Sequence, residues 1–593
     1  MKKRLVQALS WAMNPKGSKI ASSHHHDETV YPNHDHIVLA ADWLLAAQAG
    51  TPDGGYACKY LIYKNRWAKS YIETTGYIIP SMFDVAKAMQ NDNYRESALK
   101  AGEWLLEKQH QDGAFDGYGD TGKQVFDVGQ CLIGLTRLFQ ETQDERYKTA
   151  AVKSADWLVS MQDQDGAWRM RTYAGQARTY YSRVGAALIE CGRVLHQEKY
   201  VQAGMSNIRW VCGQQNAEGW FSSMEFKAGE KPFLHTMVYV LEGLLMAYRY
   251  TQDAFVFERA LQFANALKTV NVERDIVLCS QYNDDYTVAN GERCVTGLAQ
   301  WSGVCLEFYG ITKDKTFLKQ AIKTIYYLKA RQFKRGKNLQ GGFPGSVPFY
   351  GKYSPAALPN WNNKFFIDAM LQYQQHAVSM DEEHETWVNA CFALQSHHVS
   401  LGLVPVDYKC LGHVEPVLSA LEDGQTVLDL GCGKGKHLSY LREKYPRLTF
   451  VGVDPSFADR DANIVNGSVR QIPLQDQSVD VIMCMEVLQH VRNLEPVFEE
   501  IKRVLKPGAT FIVSDRNPRS LLGFLKKRLE RMGKWMYPSD SPFAEKWYSK
   551  VEWQTLLNDA GFDVKQIANV NRPKDKIPGL NRYFVIYGVR AQL

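Results

Sequence analysis

Near residue 430 the chain reads QTVLDLGCGKGKHLSYLREKYP, with glycines at 431, 433 and 435 close behind an acid, Asp429. Glycines in such a run let the backbone turn sharply and let a ligand approach without Cβ clashes. About 20 residues on, LTFVGVDPS ends in Asp454, where a carboxylate can accept hydrogen bonds from ribose hydroxyls. Glu486, His490 and Asp515 follow two further apolar runs. Each carries a group able to take a proton from a hydroxyl, with His490 the first choice of base. A second constellation is spread over the first two-thirds of the chain: Glu73, Asp127, Arg183, His235, Asp284, Arg293, Trp361 and Lys364. Arginine holds carboxylates bidentately, sugars stack on Trp and Tyr, and Glu, Asp, His or Tyr moves a proton, so this mixture suits a uronic-acid-like glycan. Read singly, each has a plainer role. Acids favour helix N-termini, His235 suits a satisfied buried histidine, and Trp361 suits packing after Pro359.

The elements that must position the second set come from an internal repeat. Trp43, Trp104, Trp157, Trp210 and Phe263 occupy matching contexts, AADWLLAAQ, AGEWLLEKQ, SADWLVSMQ, NIRWVCGQQ and ALQFANALK, and a sixth copy surrounds Tyr327. All but the fifth are followed by a Gly-rich turn: PDGGY, QDGAF, QDGAW, AEGWF and QGGF. Between them lie six more uniformly apolar helical segments rich in Gly and Ala, from TGYIIPSMFDVAKAM to NNKFFIDAMLQYQQ, as expected for helices buried all round. Amphipathic outer helices alternating with buried inner ones predict a closed ring of six helical hairpins, an all-α (α/α)6 toroid over residues 37–377. In such a ring the inner helices run parallel, so these side chains, at or before each inner helix, enter one funnel.

The first set needs a different frame. After a 1–36 N-terminal extension, the ring and a helical linker over 378–407, strands alternate with helices from 408 to 593, which implies a parallel sheet with its binding crevice at the strand carboxyl ends. This segment resembles class I S-adenosylmethionine-dependent methyltransferases of the small-molecule "type 11" kind. VLDLGCGKG is similar to that family's first motif, VGVDPS to its second and RVLKPGATFIVSD to its post-core strand. The resemblance implies S-adenosyl-L-methionine as cofactor, with Asp429, Gly431 and Gly433 at its methionine end and Asp454 on its ribose. It also implies an acid near Ser468 for the adenine amino group, but NGSVRQIP offers only Ser468 and the Val469 backbone. The ring resembles the toroids of terpene cyclases, protein prenyltransferases and glycan-active lyases and hydrolases. It lacks the acidic motif of the first and the zinc-ligand set of the second. WAKSYIETTGYIIPS, RCVTGLAQ and the 341–369 stretch are similar to toroid proteins of bacterial capsule and exopolysaccharide loci, which implies a glycan context.

Composition bounds the rest. The 593 residues, 45% hydrophobic and 23% charged, describe an ordinary globular chain of several domains and exclude disorder, collagen and a small disulfide scaffold. A net charge of +6 is too small to imply a nucleic-acid partner. Eleven scattered cysteines without a CxxC fit reduced thiols and no metal site. MKKRLVQALSWAMNPKG reads as a helix rather than a signal peptide, and no apolar run reaches 18 residues, so a cytoplasmic location is expected. Residues 516–537 carry seven Lys or Arg against one Glu, which suits either a cap helix or peripheral contact with the inner membrane near lipid-linked glycans. The expected whole is multidomain, a toroid plus an α/β Rossmann-like methyltransferase. It would methylate a sugar of a surface polysaccharide while the toroid binds or modifies the same glycan as lyase, hydrolase or epimerase. Two alternatives stay open: a terpenoid or other small acceptor held in an apolar toroid, and a non-catalytic glycan-recognition toroid.

Overall fold

A computed structural model describes residues 31–119, 121–270, 277–383, 385–387, 389–390, 411–491, 493–516, 548–570 and 583–590. Residues 517–537, which hold most of the basic stretch, lie outside these. The chain divides between Val378 and Ser379 into two compact units.

The first unit is a ring of twelve helices. The outer members are α1 (Asn33–Ala49), α3 (Asp92–Lys108), α5 (Glu145–Ser160), α7 (Glu198–Cys212), α9 (Ala254–Thr269) and α11 (Lys315–Arg331). The inner members are α2 (Ile72–Met89), α4 (Val125–Thr142), α6 (Ser182–Val194), α8 (Leu234–Thr251), α10 (Val295–Thr312) and α12 (Asn360–Tyr373). Inner α4 buries thirteen of its eighteen residues, whereas outer α5 buries seven of sixteen, which is the difference the two apolar patterns encode.

Local chemistry fixes both turns of each hairpin. Inner helices α2, α4, α8 and α10 end on a left-handed residue, Gln90, Gln143, Gln252 and Lys313. The next residue, Asn91, Asp144, Asp253 or Asp314, caps the following outer helix with its side-chain oxygen. At the other end the turns following five outer helices place Gly54, Gly113, Gly166, Gly219 and Gly341 at φ between +88° and +99°. A Cβ at Gly113 would lie 2.3 Å from the Lys153 carbonyl carbon, and one at Gly341 only 1.9 Å from the Leu39 carbonyl oxygen, so glycine is required twice over. The repeated glutamine is a clamp. Gln48, Gln109, Gln162 and Gln215 each donate from Nε2 to the carbonyl of their own turn glycine and to a carbonyl of the next outer helix. Gln332 does the same across the seam, donating to Gly341 and to the His36 carbonyl of α1. Asn363 donates to Ala40 and Gly341, and the Lys59–Leu61 strand pairs antiparallel with Ala357–Pro359, so the sixth hairpin closes on the first.

The second unit is a seven-stranded sheet: β1 (Thr426–Leu430), β2 (Thr449–Asp454), β3 (Ile464–Asn466), β4 (Val479–Met485), β5 (Leu505–Arg516), β6 (Phe562–Val570) and β7 (Tyr583–Arg590). Its order is β3-β2-β1-β4-β5-β7-β6, with β1 to β5 parallel and β7 antiparallel to both neighbours. Helices α13 (Leu411–Ser419), α14 (Lys436–Lys444), α15 (Glu495–Val504) and α16 (Lys550–Asp559) accompany it. Two apolar clusters form its core, one around Leu428, Ile482 and Phe511, the other around Val427, Met483 and Ile512, so alternate residues of a strand feed opposite faces. The strand order reverses direction beside β1, and the glycine loop leaves β1 at that switch point.

Candidate functional site

In the crevice of the second unit, Gly431, Gly433 and Gly435 adopt φ of +83°, +55° and +72°. A Cβ on Gly431 would stand 2.5 Å from Val487 Cγ2. Asp454 closes β2 facing this loop. Gly433 N donates to its Oδ2 at 2.8 Å and Ser456 N to its Oδ1 at 2.8 Å, which leaves acceptor capacity on both oxygens for a diol. Asp429 is buried, and its Oδ2 has no hydrogen-bond partner. Burial first, then the neighbouring Asp454 charge, pushes its carboxyl up to about 7. An orphaned acid beside a glycine turn is what a cationic amino acid end would satisfy, so these residues fit S-adenosylmethionine. Ser468 and the buried Val469 follow β3.

The three candidate bases separate. Glu486 follows β4 in the left-handed region, φ +60°, half-buried, with its N–H donating to Ser514 O. Strain of this kind is held by surrounding structure at sites that need a side chain re-aimed. His490 is buried on a single 3-10 turn, its Nε2 3.0 Å from the Gln489 amide. Asp515 is 1% exposed and accepts from Trp553 Nε1 at 2.7 Å, which ties β5 to α16. The apolar run preceding each acid carried no information on this difference.

The toroid brings most of the predicted funnel residues to one end, since Glu73, Asp127, Arg183, His235, Trp361 and Lys364 all lie in the first two turns of inner helices. Glu73 accepts a hydrogen bond from Tyr71, and Asp127 accepts from Tyr173 at 3.0 Å. Burial pushes the Glu73 carboxyl up to about 7. It holds the fully buried Asp127 well above the carboxylate range, with the Glu73 charge adding to the effect. A second network links Gln130, Arg183, Glu242, Gln300 and His235. Arg183 donates to Gln130 at 3.0 Å and to Glu242, Gln300 donates to Glu242 at 3.1 Å, and His235 Nδ1 meets Gln300 at 2.7 Å. Arg183 also lies 4.8 Å from the centre of the Tyr239 ring, and Lys364 lies 4.3 Å from that of Phe365.

Several expected roles change with the geometry. Burial lowers His235 to about 3, and its Nδ1 is tied to Gln300, so the ring serves the hydrogen-bond network as a neutral group. Arg293 is buried and donates to the Gly291 carbonyl and to Cys279 Sγ at 3.3 Å, so it braces its own loop. Asp284 stands exposed at the tip of the hairpin joining Gln281–Tyr282 to Val288–Asn290. Lys364 is 2.5 Å from Asp368. Tyr71, Tyr173, Glu242 and Gln300 were missed. Tyr71 lies inside the conspicuous WAKSYIETTGYIIPS segment, and Glu242 is the one acid in MVYVLEGLLMAYRYT, a signal that was available.

Residues 406–567 match the family model described as "Methyltransferase domain", and residues 129–219 match that of "Pectic acid lyase". A fatty-acid O-methyltransferase of Mycolicibacterium smegmatis is 31% identical over 107 residues, 16% of this chain and 39% of that protein. A sterol 4-C-methyltransferase of Caenorhabditis elegans is 34% identical over 107 residues, 16% of this chain and 32% of that one. The chain spans between 32% and 55% of the length of such relatives. Among solved structures, an unsaturated glucuronyl hydrolase specific for heparin gives a TM-score of 0.48 at 14% identity, covering 58% of this chain and 97% of that one. The cellobiose 2-epimerase of Bacillus thermoamylovorans gives 0.47 at 14%, covering 57% and 98%. A SAM-dependent methyltransferase of Aquifex aeolicus gives 0.22 at 22%, covering 32% and 100%. The ring of paired helices and the β3-β2-β1-β4-β5-β7-β6 sheet described above make the chain an (α/α)6 toroid joined to a Rossmann-like domain, and the methyltransferase family model falls on the latter. No described helix is long and apolar enough to cross a membrane.

Proposed function

We propose that this chain is an S-adenosylmethionine-dependent O-methyltransferase of a surface polysaccharide, and that its toroid binds or modifies the same acidic glycan. The observation that carries the glycan reading is the toroid mouth. There, two carboxyl groups with raised proton affinity, two tyrosine hydroxyls and a buried arginine share one end of the ring. Glu73, pushed up to about 7, and Asp127, held well above the carboxylate range, form an acid–base pair suited to proton transfer on a sugar. The match of 129–219 to a pectic acid lyase model supports the same substrate class.

In the crevice, Asp429 would hold the amino end of the cofactor, Asp454 the ribose, and the left-handed glycine loop would admit its backbone. When bound, S-adenosylmethionine supplies a methyl group on a sulfonium centre whose thioether leaves readily. Glu486 is the base we assign, in place of His490 and Asp515. Its carboxylate accepts the proton of the acceptor hydroxyl as the oxygen bonds to the methyl carbon. A cytoplasmic location beside the inner membrane fits such a role. A second reading, methylation of an apolar small molecule, is favoured by the fatty-acid and sterol acceptors in the names of the relatives above. Binding separates the two. The full chain should bind an oligogalacturonate more tightly than its methyl ester or a neutral oligosaccharide, and Glu242→Gln with Arg183→Met should remove that preference. Equal binding of acidic and neutral sugars would overturn the glycan reading.

A further inference from the structure

We propose that Glu385, which lies upstream of the Rossmann-like core in sequence, supplies the carboxylate that the cofactor crevice needs at its adenine end. The inference rests on the reading of the crevice as an S-adenosylmethionine site. Asp454 fixes where a ribose lies, because its two oxygens are held by Gly433 N and Ser456 N at the mouth of the glycine loop. The base attached to that ribose must then extend away from the glycines, into the gap between the loop after β2 and the loop after β3. Asn466 of β3 braces the first loop by donating to Pro455 O at 2.9 Å. Nothing in the core sequence GSVRQIP puts an anion on the second, and adenine presents an exocyclic amine whose two N–H groups need acceptors.

The described helical residues 380–383, 385–387 and 389–390 are tied to both sides of that gap. Ser456 Oγ donates to the Asn389 carbonyl at 3.2 Å, and Ser468 Oγ donates to the Glu385 carboxylate. Arg470 lies 3.4 Å from Asp381 and 3.5 Å from Glu385 Oε2, so the segment is anchored by charge. Trp387, one turn in the same stretch, is fully buried, which fixes the stretch against the core. The Glu385 side chain keeps 27% exposure, and a carboxylate accepts at about four lone-pair positions, of which Ser468 takes one. It is therefore accessible and held in place beside the residue where the core lacks an acid. The connecting segment completes the site that the core leaves open.

Calorimetric binding by the full chain tests this, with two ligands. One is S-adenosylhomocysteine, and the other its purine analogue with hydrogen in place of the 6-amino group. The unmodified chain should prefer the amine. Glu385→Ala should weaken S-adenosylhomocysteine roughly tenfold, the worth of a hydrogen bond to a charged group, while changing the purine analogue less than about twofold. Ser468→Ala, which keeps the carboxylate, should preserve the preference for the amine. An equal loss of both ligands in Glu385→Ala would mean that the residue only braces the loops, and no loss would mean that it does not face the base. Either result overturns the proposal. If the unmodified chain binds neither ligand, the cofactor reading itself falls, and this inference with it.

Discussion

Replacing Glu73 by Gln should stabilise the toroid at alkaline pH and do nothing at acid pH. Burial moves this carboxyl from an ordinary 4.5 up to about 7, so the folded chain holds the proton more tightly than the unfolded one. Stability is then full below pH 4.5 and falls as pH rises through 7. The difference between 4.5 and about 7, at about 1.4 kcal/mol per pH unit, sets a ceiling of about 3.5 kcal/mol on the loss, reached above about pH 8. Partial solvent contact at Glu73 makes about 2 kcal/mol the working figure. Glu73→Gln removes the charge and keeps the Tyr71 contact, so the variant should gain that amount at pH 8 and less than about 0.5 kcal/mol at pH 4.5. Asp127→Asn is the companion. Burial and the Glu73 charge hold the Asp127 carboxyl well above its ordinary 3.8, so the folded chain keeps a proton that the unfolded chain gives up, and an amide in its place should gain stability over the unmodified chain as pH rises above the ordinary carboxylate range. Thermal denaturation of the full chain, following the toroid transition at pH 4.5, 6 and 8, measures both. Equal destabilisation by Glu73→Gln at every pH would refute the account of a carboxyl whose proton affinity is raised by burial.

Four further outcomes follow from the geometry. Asp454→Ala should weaken S-adenosylhomocysteine at least about 100-fold by calorimetry, since two ribose hydrogen bonds to a charged group are lost. Gly431→Ala combines φ +83° with a Cβ 2.5 Å from Val487, so it should cost about 1–3 kcal/mol in the second unit's urea unfolding and impair cofactor binding. Arg183→Met removes the ion-pair partner of half-buried Glu242, which keeps only the Gln300 amide, and should lower toroid stability by about 1–3 kcal/mol, with Glu242→Gln in the same chain restoring part of it. Gln162→Leu removes the amide that bridges the Gly166 and Ala203 carbonyls, although Gly166 keeps Asn207, and should cost about 1–2 kcal/mol, with Gln109→Leu costing the same within about 1 kcal/mol if the repeats are equivalent.

Much of the architecture was legible because it rests on local rules. The Gly turn, the equal spacing of Trp and Gln in the first four copies, and the change of apolar pattern between outer and inner helices each have a direct counterpart in φ, hydrogen bond or burial. The glycine loop and Asp454 were legible for the same reason. The rest depends on contacts between residues distant in sequence. Tyr173 reaches Asp127 across 46 positions, Gln300 reaches Glu242 across 58, and Glu385 reaches Ser468 across 83. No local pattern records such pairings. His235, Arg293 and Asp515 drew notice by residue type, but their burial and partners give them supporting work.

The central claim is methyl transfer to a glycan. Isotopically labelled S-adenosylmethionine would be supplied to the chain with extract of its host, which is then fractionated into protein, lipid-linked glycan and small molecules, with Asp454→Ala as the blank. Label above the blank in the glycan fraction, released as methylated sugar on hydrolysis, is the result the account predicts. Label confined to small apolar molecules would contradict it and establish the alternative acceptor.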